Sequence, residues 1–110
     1  MNYEILFIPP FARQLKRLSK RYVSLAEDYS TLLESLENNP LLGEPVGRNC
    51  YKVRLAITSK NKGKSSGARV ITNVLVENKK VYLLSIYDKF EQENIADKEI
   101  ERLLAFIDET

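Results

Sequence analysis

Cys50-Tyr51-Lys52-Val53-Arg54-Leu55-Ala56-Ile57 alternates without a break. Tyr51, Val53, Leu55 and Ile57 fall on one side of an extended chain, and Cys50, Lys52, Arg54 and Ala56 on the other. That period belongs to a strand with one packed and one polar face. A polar loop carrying Gly63 and Gly67 follows, from Thr58 to Gly67. Ala68 to Val76 is a second run of β-formers, Glu77 to Lys80 a four-residue turn, and Val81 to Tyr87 a third run. Three strands in succession, joined by one longer basic loop and one tight turn, read as an antiparallel meander.

Upstream of the meander the period changes. Tyr3 to Ile8 reads as a short strand that Pro9-Pro10 ends, and the prolines open a helix, where their missing N–H groups cost nothing. Phe11, Leu15, Leu18 and Tyr22 then share a helical face, with Arg13, Lys16, Arg17, Lys20 and Arg21 on the others. A second helix carries Leu25, Tyr29, Leu32, Leu33 and Leu36 and stops at Asn38-Asn39-Pro40, with a break between the helices near Tyr22–Ser24. Residues 40–49, with two prolines and two glycines, read as an ordered loop. Downstream, Asp97 to Asp108 reads as a helix with Asp97 as its N-cap and Ile100, Leu103, Leu104 and Ile107 as its apolar stripe. The order β–α–α–β–β–β–α describes one layered α+β domain over residues 1–110. Two N-terminal helices pack on a small antiparallel sheet, and a helix closes the chain.

Composition limits the chemistry. The 110 residues contain no histidine and one cysteine, Cys50. That removes the commonest general base and metal ligand, every Ser-His or Cys-His arrangement and any internal disulfide. It argues against a zinc site and points to a reducing cytoplasm. No apolar run approaches the ~20 residues a membrane helix needs, and the first residues lack the basic start of a signal peptide. No cofactor, metal or membrane partner is expected.

The charge is unevenly spread. Residues 45–76 hold seven basic side chains (Arg48, Lys52, Arg54, Lys60, Lys62, Lys64 and Arg69) and no acid, although the whole chain has 15 acids. A concentrated field of one sign is a footprint for a phosphate-bearing partner. Strand parity sets Lys52 and Arg54 side by side. Antiparallel pairing across the 58–67 loop brings Arg69 towards Arg54, and Tyr87 and Lys89 end the following strand. Arginines there would bind phosphodiester oxygens bidentately, and a lysine among like charges would lose its proton more readily and act as a base. RNA cleavage without metal or histidine follows from these parts. A base takes the ribose 2′-OH proton, arginines stabilise the pentacoordinate phosphorus, and an acid protonates the 5′-oxygen. DNA, lacking the 2′-OH, would not react. Arg48, Lys60, Lys62 and Lys64 are expected to bind the RNA strand. Cys50 reads as a small semi-buried thiol rather than a nucleophile, Asp88 and Glu91 as solvated groups or strand-end caps, and Tyr87 as an acid or a sheet-packing aromatic.

Four segments in order, Phe11-Ala12-Arg13-Gln14-Leu15-Lys16-Arg17-Leu18, Tyr51-Lys52-Val53-Arg54, Gly63-Lys64-Ser65-Ser66-Gly67-Ala68-Arg69-Val70-Ile71 and Val81-Tyr82-Leu83-Leu84-Ser85-Ile86-Tyr87-Asp88-Lys89, resemble the RelE/ParE superfamily of bacterial toxins. The longer lysine–glycine loop resembles the HigB-like branch. The resemblance implies the toxin of a type II toxin–antitoxin pair, with a cognate antitoxin that covers the basic surface or displaces the terminal helix. It also implies mRNA cleavage in the ribosomal A site, with Lys52, Arg54, Arg69 and Lys89 matching the family's basic residues. The chain departs from the RelE pattern in two places. No further tyrosine follows Tyr87, and Phe90 stands where a second basic residue is usual. That leaves the acid and base assignments open, with Tyr87 as a substitute candidate for the acid. The ParE branch inhibits DNA gyrase, which leaves a gyrase inhibitor and a non-catalytic RNA- or ribosome-binding module as alternatives.

Overall fold

The structure, a computed structural model, describes residues 3–61, 63 and 66–108. The elements are β1 (Glu4–Phe7), α1 (Pro9–Arg21), α2 (Leu25–Asn38), β2 (Glu44–Gly47), β3 (Cys50–Leu55), a 3-10 turn (Thr58–Lys60), β4 (Ala68–Leu75), β5 (Lys80–Asp88) and α3 (Asp97–Asp108). The five strands form one sheet in the order β1-β5-β4-β3-β2. The expected meander is present: β3 pairs antiparallel with β4, and β4 with β5.

Three details differ from the sequence reading. The stretch read as an ordered loop contains β2, which pairs antiparallel with β3 at the sheet edge. Pro45 hides it, because proline is tolerated only at a strand edge or bulge. The turn that joins it to β3 is hidden too. Arg48 and Asn49 both adopt positive φ, 57° and 63°, the conformation a two-residue hairpin requires and one usually signalled by Asn-Gly. The sheet is also mixed rather than wholly antiparallel, since β1 runs parallel to β5. The α1–α2 hairpin separates β1 from the rest of the sheet in the chain, so no tight turn dictates its direction. At the C-terminal helix, Ala96 O accepts the Ile100 N–H, and Asp97 lies inside the first turn rather than capping it.

The central strands are buried on both faces. Every residue of β4 but Leu75 and every residue of β5 but Lys80 is buried. Helices α1 and α2 cover one face, where Phe11, Leu18, Leu25 and Leu36 are fully enclosed. Helix α3 contributes Ile100 and Leu103 to the core. β1 pairs with β5 only as far as Leu83. Beyond it, Gln14 of α1 accepts the Ile86 N–H at 2.9 Å, which satisfies a backbone donor the missing strand would have taken. A bulge between Ile71 and Thr72 leaves one extra β5 residue opposite β4. It lies beside the row of side chains described next. No helix of the described residues is long and apolar enough to cross a membrane.

Candidate nucleic-acid-cleaving site

Register decides which side chains meet. Arg54 of β3 is paired with Arg69 of β4, and Arg69 with Tyr87 of β5. Paired strands lie ~4.8 Å apart, so the three side chains form one row across the sheet. One step along, Lys52 pairs with Ile71 and Ile71 with Ser85. Lys89 follows the end of β5, and its N–H donates to Gly67 O at 3.1 Å. Gly67 is packed so closely that a Cβ there would lie 2.1 Å from Leu55 O. The glycine lets the loop descend onto β3 and start β4 with Arg69 at this register.

The row is electrostatically unusual. Arg69 is 4% exposed, and its Nη1 donates to Ala68 O at 3.1 Å. Burial lowers its pKa, and the charge of Arg54 adds to that. Arg54 itself is exposed. Two paired arginines held side by side form a dication whose repulsion a bound phosphate would relieve. Tyr87 is 3% exposed. Its hydroxyl is buried and, among the described residues, has no hydrogen-bond partner. Burial raises its pKa, partly offset by Arg69, so the group is a neutral hydroxyl at neutral pH with a proton to give. A buried polar atom without a partner costs about 1–3 kcal/mol.

The structure sorts the expected site residues. Arg54, Arg69 and Tyr87 are brought together, with Lys52 and Lys89 flanking them. Lys52 donates to Asn94 Oδ1 at 3.3 Å and lies 3.7 Å from Glu44, so the segment before α3 reaches over this face. Arg48 does not join the group. It sits on the β2–β3 turn, donating to Asp97 O at 3.3 Å and pairing with Glu101 at 3.0 Å. Lys60 does not join it either: its Nζ lies 2.8 Å from Asp88 Oδ1, with a side chain only 9% exposed. Lys62 and Lys64 lie outside the described residues. Cys50 is buried, and burial raises its thiol pKa, countered in part by Asn73. A neutral, enclosed thiol fits the structural reading.

Two acids gained roles that sequence reasoning did not assign. Asp88, read as a solvated group or a strand-end cap, is fully buried. It does cap the strand end, accepting the Phe90 N–H at 3.0 Å, and also takes Lys60 and the Tyr22 hydroxyl. The signal was parity, since Asp88 continues the inward series of Leu84 and Ile86. Asp28 of α2 accepts Thr58 N–H at 3.0 Å, the Thr58 hydroxyl at 2.5 Å and the Ser24 hydroxyl at 2.8 Å. The root of the acid-free loop is therefore held by carboxylates from outside the basic stretch.

No family model matches the chain. Among solved structures, a variant of the E. coli toxin RelE in the free state is similar at 24% identity and a TM-score of 0.63, over 93% of this chain and 98% of that one. A RelBE toxin–antitoxin complex from Mycobacterium tuberculosis is similar at 21% identity and a TM-score of 0.60, over 80% and 92%. The intact E. coli RelBE toxin–antitoxin complex is similar at 20% identity and a TM-score of 0.59, over 78% and 95%. The chain has the fold of the RelE toxins.

Proposed function

We propose that the protein is a toxin of a type II toxin–antitoxin pair and cleaves mRNA on the ribosome, with a cognate antitoxin as its protein partner. The observation that carries the reading is the Arg54–Arg69–Tyr87 row on a RelE fold. The antitoxin rests on the RelBE complexes among the similar structures. A ribosomal substrate puts the activity in the cytoplasm.

Arg54 and Arg69 grip the non-bridging oxygens of one phosphodiester and take up the charge that grows on them as the 2′-oxygen attacks. The 2′-OH proton passes to a lysine amine, for which Lys52 and Lys89 stand at either side of the row. The 2′-oxygen–phosphorus bond forms as the bond from phosphorus to the 5′-oxygen breaks. The leaving oxygen takes the Tyr87 hydroxyl proton. The products are a 2′,3′-cyclic phosphate and a 5′-hydroxyl, and DNA is spared. In this reaction the unpartnered Tyr87 hydroxyl gains a partner only when substrate arrives.

The test is a translating cell-free extract with a defined mRNA, its ends mapped by primer extension. New ends within codons are expected with wild type and not with Arg69→Ala. Intact mRNA together with inhibition of gyrase supercoiling would reverse the reading in favour of a ParE-like inhibitor. Steeply salt-dependent RNA binding without cleavage would leave a binding module.

A further inference from the structure

We propose that Lys60 and Asp88 form a positioning pair that clamps the neck of the β3–β4 loop to the end of β5, holding Arg69, Tyr87 and Lys89 in one arrangement. The inference rests on the reading of that face as a ribonuclease site. Asp88 stands in the chain between Tyr87 and Lys89. By strand parity its side chain leaves the sheet on the side opposite Tyr87, where it is fully buried.

Its carboxylate receives Lys60 Nζ at 2.8 Å, the Phe90 N–H at 3.0 Å and the Tyr22 hydroxyl. The same ammonium donates to Ser66 O at 3.0 Å. Ser66 precedes Gly67, whose carbonyl accepts the Lys89 N–H at 3.1 Å. The contacts close a ring: residue 60 holds 66 and 88, and residue 67 holds 89. The rings of Tyr22 and Phe90 stand 5.0 and 4.5 Å from the ammonium and enclose it. Burial pushes the Asp88 carboxyl up, but the donors from Lys60, Tyr22 and Phe90 outweigh it and hold it below the usual carboxylate value. With a side chain only 9% exposed, the ammonium offers little surface to an RNA phosphate. Its directed bonds fix the strand end and the loop neck relative to each other, which an apolar filler would not do.

The test compares wild type with Lys60→Met, Asp88→Asn and the double variant in two measurements. Hydrogen exchange by NMR reads the Lys89 and Phe90 amides. Both are expected to exchange at least about tenfold faster in Lys60→Met. Cleavage of ribosome-bound mRNA is expected to lose kcat on the order of 10- to 100-fold, with KM and salt dependence held. A direct phosphate contact would raise KM and lower the salt slope by about one, with kcat kept. That result overturns the proposal, as does unchanged exchange at both amides. Should the single variants unfold, the double variant carries the test, because it removes both buried charges together. It is expected to fold, with fast exchange and low kcat, and wild-type kcat in the folded double variant overturns the proposal. Absence of cleavage by wild type defeats the ribonuclease reading, while the exchange measurement still decides whether the pair clamps the two elements.

Discussion

Lys60 and Arg69 come from the same acid-free stretch, nine residues apart, and meet opposite fates on the two sides of the sheet. Lys60 goes to the helical side and finds a buried carboxylate, two aromatic rings and a carbonyl. Arg69 goes to the other side and is set beside Arg54 and an unpartnered tyrosine hydroxyl. One cation lies against a carboxylate, and the other beside a like charge. The basic composition of residues 45–76 announces a polyanion site. Only the local neighbours decide which cations are available to it. A cation set against a carboxylate builds the scaffold, and one set beside a like charge favours an anionic ligand.

Breaking the Lys60–Asp88 side has the largest expected effect. Asp88→Asn leaves the Lys60 ammonium buried without its counter-charge, which costs about 3–5 kcal/mol. Denaturant unfolding at pH 7 reads the loss. The pH dependence carries a sign. Asp88 is held below its usual value in the fold, against about 3.9 unfolded. Its stabilisation is therefore complete above about pH 4 and fades as the pH falls through the folded value. Wild type is expected to lose this increment in acid, and Asp88→Asn to show no such step.

The Arg54–Arg69 side should behave the other way, with activity the larger loss. Arg69→Ala is expected to lower cleavage on the order of 10²- to 10³-fold, with a smaller folding loss of about 0.5–3 kcal/mol because the side chain is buried and bonded to Ala68 O. A variant as growth-inhibitory as wild type would sink the assignment of Arg69 to the phosphate. Tyr87→Phe sharpens the contrast with a single oxygen. Cleavage is expected to fall about 100-fold if the hydroxyl protonates the leaving group. Stability is expected to rise by about 1 kcal/mol, since a buried hydroxyl without a partner is removed. Full activity in Tyr87→Phe would make this residue a sheet-packing aromatic only.

Much of this contrast was legible before the structure. The Cys50–Ile57 alternation placed Lys52 and Arg54 on one face, and antiparallel closure over the 58–67 loop brought Arg69 towards Arg54, which the register sharpens to a direct pairing. Helix periodicity found α1 and α2, whose buried residues include Phe11, Leu18, Leu25, Leu32 and Leu36. β2 was not legible, because its hairpin turn is Arg48-Asn49 and its strand contains Pro45. Nor was the parallel docking of β1, since nothing local records a pairing across more than 70 residues. The fate of Lys60 was hidden for the same reason. Its partner lies 28 residues on, and a lysine in a lysine-rich loop looks like its neighbours until the sheet folds. Parity at Asp88 was the available hint, an acid continuing an inward series.

The smallest expected effect comes from a cation that belongs to neither side. Arg48 sits on the β2–β3 turn, about half-exposed, and its ion pair with Glu101 and hydrogen bond to Asp97 O tie that turn to α3. An exposed pair of this kind contributes roughly 0–1 kcal/mol. Arg48→Ala is therefore expected to cost no more than about 0.5 kcal/mol in denaturant unfolding and to leave kcat unchanged. A rise in KM that steepens with salt would return Arg48 to the RNA surface where composition alone had placed it. A kcat loss comparable to that of Arg69→Ala would break the division itself, because an ion-paired turn residue some six positions from Arg54 would then act as part of the row.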